Sequence, residues 1–341
     1  MRVPQVREDG AAPARDPLPP GDVSRLRDGH DPADLTEGRL WISSAKPPRG
    51  IAAPEGTTTM RIVIASGKGG TGKTILATNL ATFLADQDDE VTYLDCDVET
   101  PNGHIFLKPV ITSREAVTIP VPEVDEVHCT RCGRCGEFCQ AHAIVCLGNA
   151  ILTFPDLCHA CGGCALVCPE KAIREIPRGI GEIARGTAGP VRFVEGRLQI
   201  GQAKSPPIIR AVKRHVPRTG IAILDAPPGT SCPMIETVRD ADFVLLVAEP
   251  TVFGLHDLTL AVEAIRKVGV PHGVAINRAG PGGDGVQRYC AHANIPILVQ
   301  IPEDRRIAEI YSRGDLAVRS FPEFGRWMSE LLGRLRSAVR S

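Results

Sequence analysis

Apolar runs and helical patterns alternate along the chain from Met60 onward. Several short apolar runs are separated by stretches in which apolar residues recur three or four positions apart. Strands that alternate with helices in this way predict an α/β fold with a mainly parallel sheet flanked by helices. The predicted strands span 61–66, 91–95, 220–225, 242–248, 273–277 and 297–300, and a helix is predicted from Lys73.

Residues 1–59 show no sustained period of either kind. They hold nine prolines, several glycines and mixed charge, so they bury too little apolar surface to offset the entropy lost on ordering. We expect a disordered extension there. Met60 directly precedes the first predicted strand, so we expect it to be the true start of the native chain.

Charge and cysteine content narrow the class of protein. The net charge of -1 gives no overall field for nucleic acid, so a nucleic-acid partner is not expected. Eight of the twelve cysteines fall in two closely spaced runs, Cys129–Cys139 and Cys158–Cys168, which indicates metal ligation and not disulfides. The chain has no secretory pattern and no apolar run near the about 20 residues of a spanning helix. We therefore expect a reducing, cytoplasmic location.

The cysteine region interrupts the α/β series after the second predicted strand. Cys-x2-Cys-x2-Cys-x3-Cys occurs twice, each time followed by Ala-Ile, which indicates an internal duplication. The spacing is that of bacterial ferredoxins with two [4Fe-4S] clusters, in which the fourth cysteine of each run ligates the other cluster. Structural zinc is the alternative, although it usually takes separated pairs of ligands. The predicted ligand sets are Cys129, Cys132, Cys135 with Cys168, and Cys158, Cys161, Cys164 with Cys139.

Two prolines, Pro122 and Pro177, bracket this region. We therefore predict an α/β domain in two parts, 60–122 and 179–341, with an inserted ferredoxin-like α+β domain over 123–178. Pro169 follows the second cysteine run as the ferredoxin pattern requires, whereas Gln140 stands in that place after the first. Because proline is not a ligand, this departure bears on packing and reduction potential and not on cluster binding.

A phosphate-binding loop follows the first predicted strand and opens a helix. Its glycines let backbone N–H groups surround phosphates at the positive end of the helix dipole. Lys73 is expected to meet the β- and γ-phosphates, and the Thr74 hydroxyl to meet Mg2+. A glycine-rich turn without a ligand is the alternative. The loop reads Gly67, Lys68, Gly69, Gly70, Thr71, Gly72, Lys73, Thr74.

The second lysine of this loop, Lys68, makes the motif resemble the deviant Walker A signature of the MinD/ParA superfamily. That group is related to the nitrogenase iron protein and to Mrp-type cluster carriers. The resemblance implies ATP/ADP binding, Mg2+-dependent hydrolysis and an ATP-dependent homodimer in which Lys68 reaches the partner subunit's nucleotide. A solvated surface lysine is the alternative.

Further motifs place polar side chains at the carboxyl ends of predicted strands, where ligands bind in open α/β sheets. By the same resemblance, Asp97 positions the attacking water in switch I and Asp225 acts on Mg2+ in switch II. The Gly229 N–H senses the γ-phosphate, and Asn277 contacts adenine. Helix capping is the alternative for either aspartate, and a turn is the alternative for Asn277.

Four cysteines lie outside the two runs. Cys232 closely follows Asp225, much as a cluster ligand does in the nitrogenase iron protein. A bridging cluster needs a second such cysteine in each subunit, and none is evident, so a structural role is favoured for Cys232. Cys96 and Cys146 are expected to behave as small buried hydrophobic residues, and Cys290 is the fourth cysteine outside the runs.

The end of the chain is predicted to form an amphipathic helix. MinD reaches the membrane through such a helix, but Glu323 and Glu330 weigh against an anionic surface here. Packing of this helix on the sheet is therefore favoured over membrane association. Its apolar residues are Phe324, Trp327, Met328, Leu331, Leu332 and Leu335.

Taken together, the motifs resemble a MinD-superfamily ATPase that contains an inserted ferredoxin domain. ATP is expected to close a dimer and to change the exposure or potential of the clusters, for electron or cluster transfer to an unidentified acceptor protein. One alternative is a spatial organiser for division or cargo, with clusters as structural or redox-sensing elements. Another is a ferredoxin whose nucleotide fold has lost hydrolysis.

Overall fold

The computed structural model describes residues 58–280 and 283–340. The strands are β1 (Thr58–Ala65), β2 (Val91–Asp95), β3 (Val110–Val124), β4 (Ile144–Leu147), β5 (Ala150–Thr153), β6 (Ile173–Ala188), β7 (Val191–Leu198), β8 (Thr219–Asp225), β9 (Phe243–Ala248), β10 (His272–Ala279) and β11 (Ile297–Pro302). The helices are α1 (Lys73–Ala85), α2 (Gly103–Leu107), α3 (Arg134–Phe138), α4 (Gly163–Leu166), α5 (Pro206–Lys213), α6 (Cys232–Val238), α7 (Val252–Val268), α8 (Gly285–His292), α9 (Arg305–Ser312), α10 (Ala317–Ser320) and α11 (Pro322–Arg340), with a 3-10 turn at Pro155–Leu157.

One large sheet organises the described residues. Its nine strands lie in the order β11-β10-β9-β1-β8-β2-β7-β6-β3. Neighbouring strands from β11 to β7 are parallel, whereas β6 pairs antiparallel with both β7 and β3. The prediction of a mainly parallel sheet flanked by helices is confirmed.

All six predicted strands are present, with ends that differ by at most three residues. The first begins before Met60, because Thr58 and Thr59 pair with Thr219 and Gly220 of β8. Of the extension expected over 1–59, residues 1–57 lie outside the described part of the chain.

A long antiparallel hairpin, β3 with β6, was not predicted. It forms the edge of the sheet, and the cysteine region lies between its two strands in the chain. Pro120 pairs opposite Pro177, and Pro122 lies further along β3. Proline is tolerated in edge strands because the backbone on one side of such a strand has no neighbouring strand to hydrogen-bond. The hairpin therefore runs across both predicted domain boundaries, 122/123 and 178/179.

Two apolar layers cover the sheet. Successive residues of β1 face opposite sides, so Val63 joins the core beneath α5 to α8, and Ile64 joins the core beneath α1 and α11. The apolar face of α11 packs into the second core, where Phe324 and Leu331 are buried. None of the helices in the described part has the length and apolar character that crossing a bilayer requires.

The cysteine region forms a small α+β unit. Strands β4 and β5 pair as a hairpin, and a separate small core contains Cys135, Ile144 and Ile173. The two cysteine runs of this unit lie in segments that place left-handed residues at equivalent positions, 29 residues apart. These positions are Arg131 (φ 57°) with Ala160 (φ 55°), Gly133 (φ 82°) with Gly162 (φ 70°), and His142 (φ 50°) with Lys171 (φ 51°).

Candidate functional site

The phosphate-binding loop connects β1 to α1 and is closely packed at both ends. A Cβ atom at Gly67 would lie 2.1 Å from the backbone oxygen of Asp257. Gly72 has φ 95°, and a Cβ there would lie 2.3 Å from Nδ2 of Asn277. Since α1 begins at Lys73, the first N–H groups of the helix point into this loop. The loop is thus a cradle that any side chain at Gly72 would fill.

Lys73, Thr74, Asp97 and Asp225 come together beside the loop. Burial raises the pKa of Asp225 to about 6, while the Thr74 hydroxyl and the Lys73 ammonium lower it. Burial also raises the pKa of Asp97, and Lys73 again opposes the shift. These four residues come from three separate stretches of the chain. The structure therefore places one cation, one hydroxyl and two carboxylates in a single buried site.

Two buried oxygens at this site have no hydrogen-bond partner among the described residues, Oδ1 of Asp225 and Oγ1 of Thr71. The other carboxylate oxygen of Asp225 accepts a hydrogen bond of 3.1 Å from the Tyr93 hydroxyl. An unpaired buried acceptor costs about 1–3 kcal/mol, so such atoms are expected where a ligand completes the site. A carboxylate oxygen beside a threonine hydroxyl suits Mg2+. The donor set fits a magnesium nucleotide.

Asp95 has a supporting role in this site. It is completely buried and accepts hydrogen bonds from the backbone N–H groups of Asp97 (3.1 Å), Asn102 (3.2 Å) and Gly103 (2.9 Å). Burial raises its pKa, and the charge of Asp225 raises it further. Asp95 thereby holds the loop after β2, which carries Asp97, in place.

Lys68 is bound within its own chain. Its ammonium lies 3.2 Å from Oε2 of Glu249, and Arg278 holds the other oxygen of Glu249 at 2.5 Å. The Lys68 side chain keeps 33% of its exposure, so it lies at the open rim of the site. Glu249 was missed in the sequence because it lies far along the chain and belongs to no motif. Its position just after β9, at the ligand-binding edge of the sheet, was the available signal.

Asn277 lies against the loop, where its Nδ2 donates a hydrogen bond of 2.8 Å to the Thr71 carbonyl. A cavity of about 390 Å3 opens beside Asn277 and Gly72, with residues at the end of β11 and in α9 forming its far wall. The far wall was not predicted, although Glu303 follows a strand end as the other site residues do. The cavity has the position and size to take the base of a nucleotide.

Gly229 adopts φ 93° and donates its N–H to the Ser66 carbonyl at 3.0 Å. The N–H that was expected to sense the γ-phosphate is therefore bonded to the end of β1 in this structure. This bond connects the loop after β8 to the start of the phosphate-binding loop.

The cysteines of the two runs line two separate cavities, and their grouping is the one stated from spacing. Apolar residues such as Ile151 and Ile144 complete the walls. The first cavity is lined by Cys129, Cys132, Cys135 and Cys168, and the second by Cys139, Cys158, Cys161 and Cys164.

Backbone N–H groups point at several of these sulfurs. Ala143, Ala160 and Ala172 each donate at 3.3 Å, to Cys139, Cys158 and Cys168 respectively. Such bonds favour thiolates. No group of three or more His, Cys, Asp or Glu side chains in the described ranges is arranged to hold a metal ion. The case for clusters therefore rests on the cysteine spacing, the shared cavities and the N–H donors.

Cys232 and the other outlying cysteines do not join either cavity. Cys232 is exposed at the start of α6, whereas Cys96 and Cys290 are buried. Cys146 is half-buried and hydrogen-bonds the Arg131 carbonyl. Burial raises the pKa of Cys290 to about 11, so this thiol stays protonated near neutral pH.

Comparison with known proteins places this site in a family. Residues 62–318 match the model of the CobQ/CobB/MinD/ParA nucleotide binding domain. An uncharacterized protein of Methanocaldococcus jannaschii is 35% identical over 248 residues, which cover 72% of this chain and 87% of the relative. An uncharacterized ATP-binding protein of the same organism is 23% identical over 269 residues, covering 77% and 81%.

Solved structures agree in fold. The septum site-determining protein MinD from Pyrococcus horikoshii, complexed with Mg-ADP, has a TM-score of 0.51 and 20% identity, with 82% of this chain and 96% of that one covered. The cell division ATPase MinD of Pyrococcus furiosus has a TM-score of 0.50 and 21% identity, with 82% and 98% covered. These likenesses show the fold alone. On the family match and the 35% identity, the chain belongs to the CobQ/CobB/MinD/ParA nucleotide-binding family of P-loop proteins.

Proposed function

We propose that this protein is a Mg2+-dependent ATPase that works as a dimeric switch and carries two [4Fe-4S] clusters. The observation that carries the ATPase part is the convergence of Lys73, Thr74, Asp97 and Asp225, together with the buried Oδ1 of Asp225, which has no hydrogen-bond partner among the described residues. The family match supports nucleotide binding independently of that geometry.

Each residue of the site has a distinct task in this proposal. The N–H groups of the loop bind phosphate oxygens, and the Lys73 ammonium neutralises charge that builds up on the leaving and transferred phosphates. Asp225 and Thr74 would hold Mg2+ through oxygen atoms. Asp97 orients the attacking water through its carboxylate. The Nδ2 of Asn277 donates to the Thr71 carbonyl, and its Oδ1 is able to accept from an adenine amino group.

Lys68 supplies the dimer contact in this proposal. Its half-open ion pair with Glu249 leaves the ammonium at the rim of the site, within reach of a second subunit. The Glu249 carboxylate also binds Arg278, so it keeps a cationic partner when Lys68 leaves. A nucleotide phosphate on the partner therefore competes readily for the lysine.

In this proposal the two cysteine sets bind the clusters whose activity the nucleotide state controls. Four thiolates per cavity, with backbone N–H groups directed at three of the eight sulfurs, suit one cubane cluster in each. When bound, such clusters supply one-electron transfer. We propose electron or cluster transfer to an acceptor protein in the cytoplasm, where thiols stay reduced.

A second candidate function is spatial organisation. The named structural neighbours are a septum site-determining protein and a cell division ATPase, and they favour this function over electron transfer. The clusters would then serve structure or redox sensing. ATP-dependent localisation that persists after all eight cysteines are changed to serine would favour this candidate.

The test uses the full chain purified without oxygen. We expect about eight iron atoms per chain and Mg2+-dependent ATP hydrolysis. Lys73→Ala is expected to lower the hydrolysis rate by about 100-fold or more, whereas Lys267→Ala, an exposed lysine in α7, leaves it unchanged. Equal rates in Lys73→Ala and the parent contradict the ATPase assignment. Failure to incorporate iron contradicts the cluster assignment alone.

A further inference from the structure

The loop between β7 and α5 contacts both the segment after Asp97 and the cysteine region through adjacent residues. The ammonium of Lys204 donates to the Cys158 carbonyl at 2.6 Å and to the Asp156 carbonyl at 3.3 Å. The Ser205 hydroxyl donates to Oε1 of Glu99. Glu99 lies two residues after Asp97. Two adjacent residues, Lys204 and Ser205, thus connect the cysteine region to the segment that carries Asp97.

Ser205 uses its side chain for this contact and not for its own helix. It occupies the N-cap position of α5, where a serine hydroxyl usually accepts from the first turn. No such bond is present, and the residue is only 2% exposed. Its one hydroxyl is directed at Glu99, so replacing Ser205 by alanine removes the link without removing a cap.

The segment that carries Asp97 is fastened to the start of this loop as well. The Val98 carbonyl accepts a hydrogen bond of 2.8 Å from the Leu198 N–H. The side chain of Val98 also packs so closely on Gly196 that a Cβ atom there would lie 2.8 Å away. The segment that carries Asp97 is therefore held to the last residues of β7 at two points, directly before the β7–α5 loop.

At the other end, Lys204 lies beside the second cysteine set. Its ammonium is half-buried and bonded to the carbonyl of Cys158, which lines the second cavity. Arg178 of β6 binds Asp156 at 2.5 Å, so the same turn is also held from the hairpin side. A lysine in this place puts a positive charge next to the thiolates.

We propose that Lys204 and Ser205 are positioning residues that couple nucleotide state at Asp97 to the cluster at the second cysteine set. ATP displaces Asp97 and Glu99, Ser205 follows, and Lys204 shifts against the Cys158 turn. A cation moved relative to a cluster changes its reduction potential, because added electrons are stabilised by nearby positive charge. The inference rests on the proposed binding of clusters.

The test is a redox titration of the full chain followed by electron paramagnetic resonance, with ATP and with ADP. In the parent we expect about a tenfold difference in the reduction equilibrium of one cluster between the nucleotides, equal to about 59 mV for one electron. Ser205→Ala and Lys204→Gln are expected to reduce that difference to less than about twofold, with unchanged iron content. Lys204→Arg is expected to restore it. Two matched controls, Ser337→Ala in α11 and Lys171→Gln on the exposed turn after Cys168, are expected to keep it.

Glu99→Ala removes the same contact from an exposed residue, and it is expected to behave as Ser205→Ala does. Hydrogen exchange at residues 156–161 provides a readout without clusters: ATP is expected to change it in the parent and not in Ser205→Ala. A full nucleotide-dependent shift in Ser205→Ala, Lys204→Gln and Glu99→Ala, or no shift in a parent that holds clusters and ATP, overturns the coupling inference alone. A parent that takes up no iron overturns the cluster assignment and the inference with it.

Discussion

Three glycines of the phosphate-binding loop allow a graded test of its geometry. Gly69 lies outside the left-handed region and has open space around it, whereas Gly70 is left-handed (φ 78°) with open space. Gly72 is left-handed (φ 95°), and a Cβ there would meet Asn277 at 2.3 Å. Alanine therefore adds neither strain nor a clash at Gly69. It adds backbone strain alone at Gly70, and both strain and a steric clash at Gly72.

The magnitudes follow from these differences. Gly69→Ala is expected to change the free energy of unfolding by less than about 1 kcal/mol, and in the stabilising direction, because alanine restricts the unfolded chain. Gly70→Ala is expected to cost about 1–2 kcal/mol of left-handed strain. Gly72→Ala pays that strain and displaces Asn277 from Thr71, a bond of 2.8 Å worth about 0.5–1.5 kcal/mol. Its expected cost is about 1.5–3.5 kcal/mol.

Urea unfolding of the nucleotide-free chain, followed by circular dichroism, measures these differences. Calorimetric titration with ATP adds a functional readout, and Gly72→Ala is expected to bind more weakly than Gly70→Ala because the base cavity beside Asn277 is disturbed. Equal unfolding free energies for Gly69→Ala and Gly72→Ala would refute the described loop. Equal values for Gly70→Ala and Gly72→Ala would refute the contact with Asn277.

Three further predictions concern charge, assembly and iron. Because burial raises the pKa of Asp225 to about 6, the magnesium-free protein is expected to lose stability as pH rises from about 4 to 6. Asp225→Asn removes the share of this loss that belongs to Asp225, up to about 3 kcal/mol at pH 7 in urea unfolding, and abolishes Mg2+-dependent hydrolysis, whereas Asp95 and Asp97, whose pKa values burial also raises, keep their share. A parent stability that is flat across that window contradicts the argument. Lys68→Ala is expected to lose ATP-dependent dimerisation in analytical ultracentrifugation, while Glu249→Gln keeps it; dimers of Lys68→Ala would show that the lysine has no role in assembly. Cys135→Ser is expected to lose about half of the bound iron and Cys146→Ser none, so equal iron in both variants is the contrary result.

The sequence predicts the parallel strands and the local motifs at their carboxyl ends because both depend on neighbouring residues. The apolar runs of β8 and β9 are buried on both faces, which makes their pattern continuous and easy to locate. The edge hairpin escaped prediction because prolines interrupt it and much of β3 is exposed. The first half of β3 is exposed or half-buried on both faces, so no alternation of apolar and polar residues marks it.

Long-range contacts escaped prediction for a different reason. Glu249 binds Lys68 and Lys204 binds Cys158 across stretches that carry no shared spacing, so no local pattern indicates that they meet. The cysteines that line each cavity are an exception, because the ferredoxin spacing groups three cysteines of one run with the fourth of the other. Residues that position others, such as Asp95, look the same in the sequence as residues that bind ligand.

The affinity of the full chain for ATP, measured by anaerobic calorimetry with the clusters oxidised and then reduced, tests the central claim most directly. If nucleotide state and clusters are coupled, linkage requires that reduction change the ratio of the ATP affinity to the ADP affinity by the factor by which exchanging ADP for ATP changes the reduction equilibrium. With ADP affinity measured in the same way, the account predicts that this ratio changes by about tenfold. Equal affinities in the two redox states, with both clusters present, would contradict coupling and favour a spatial organiser.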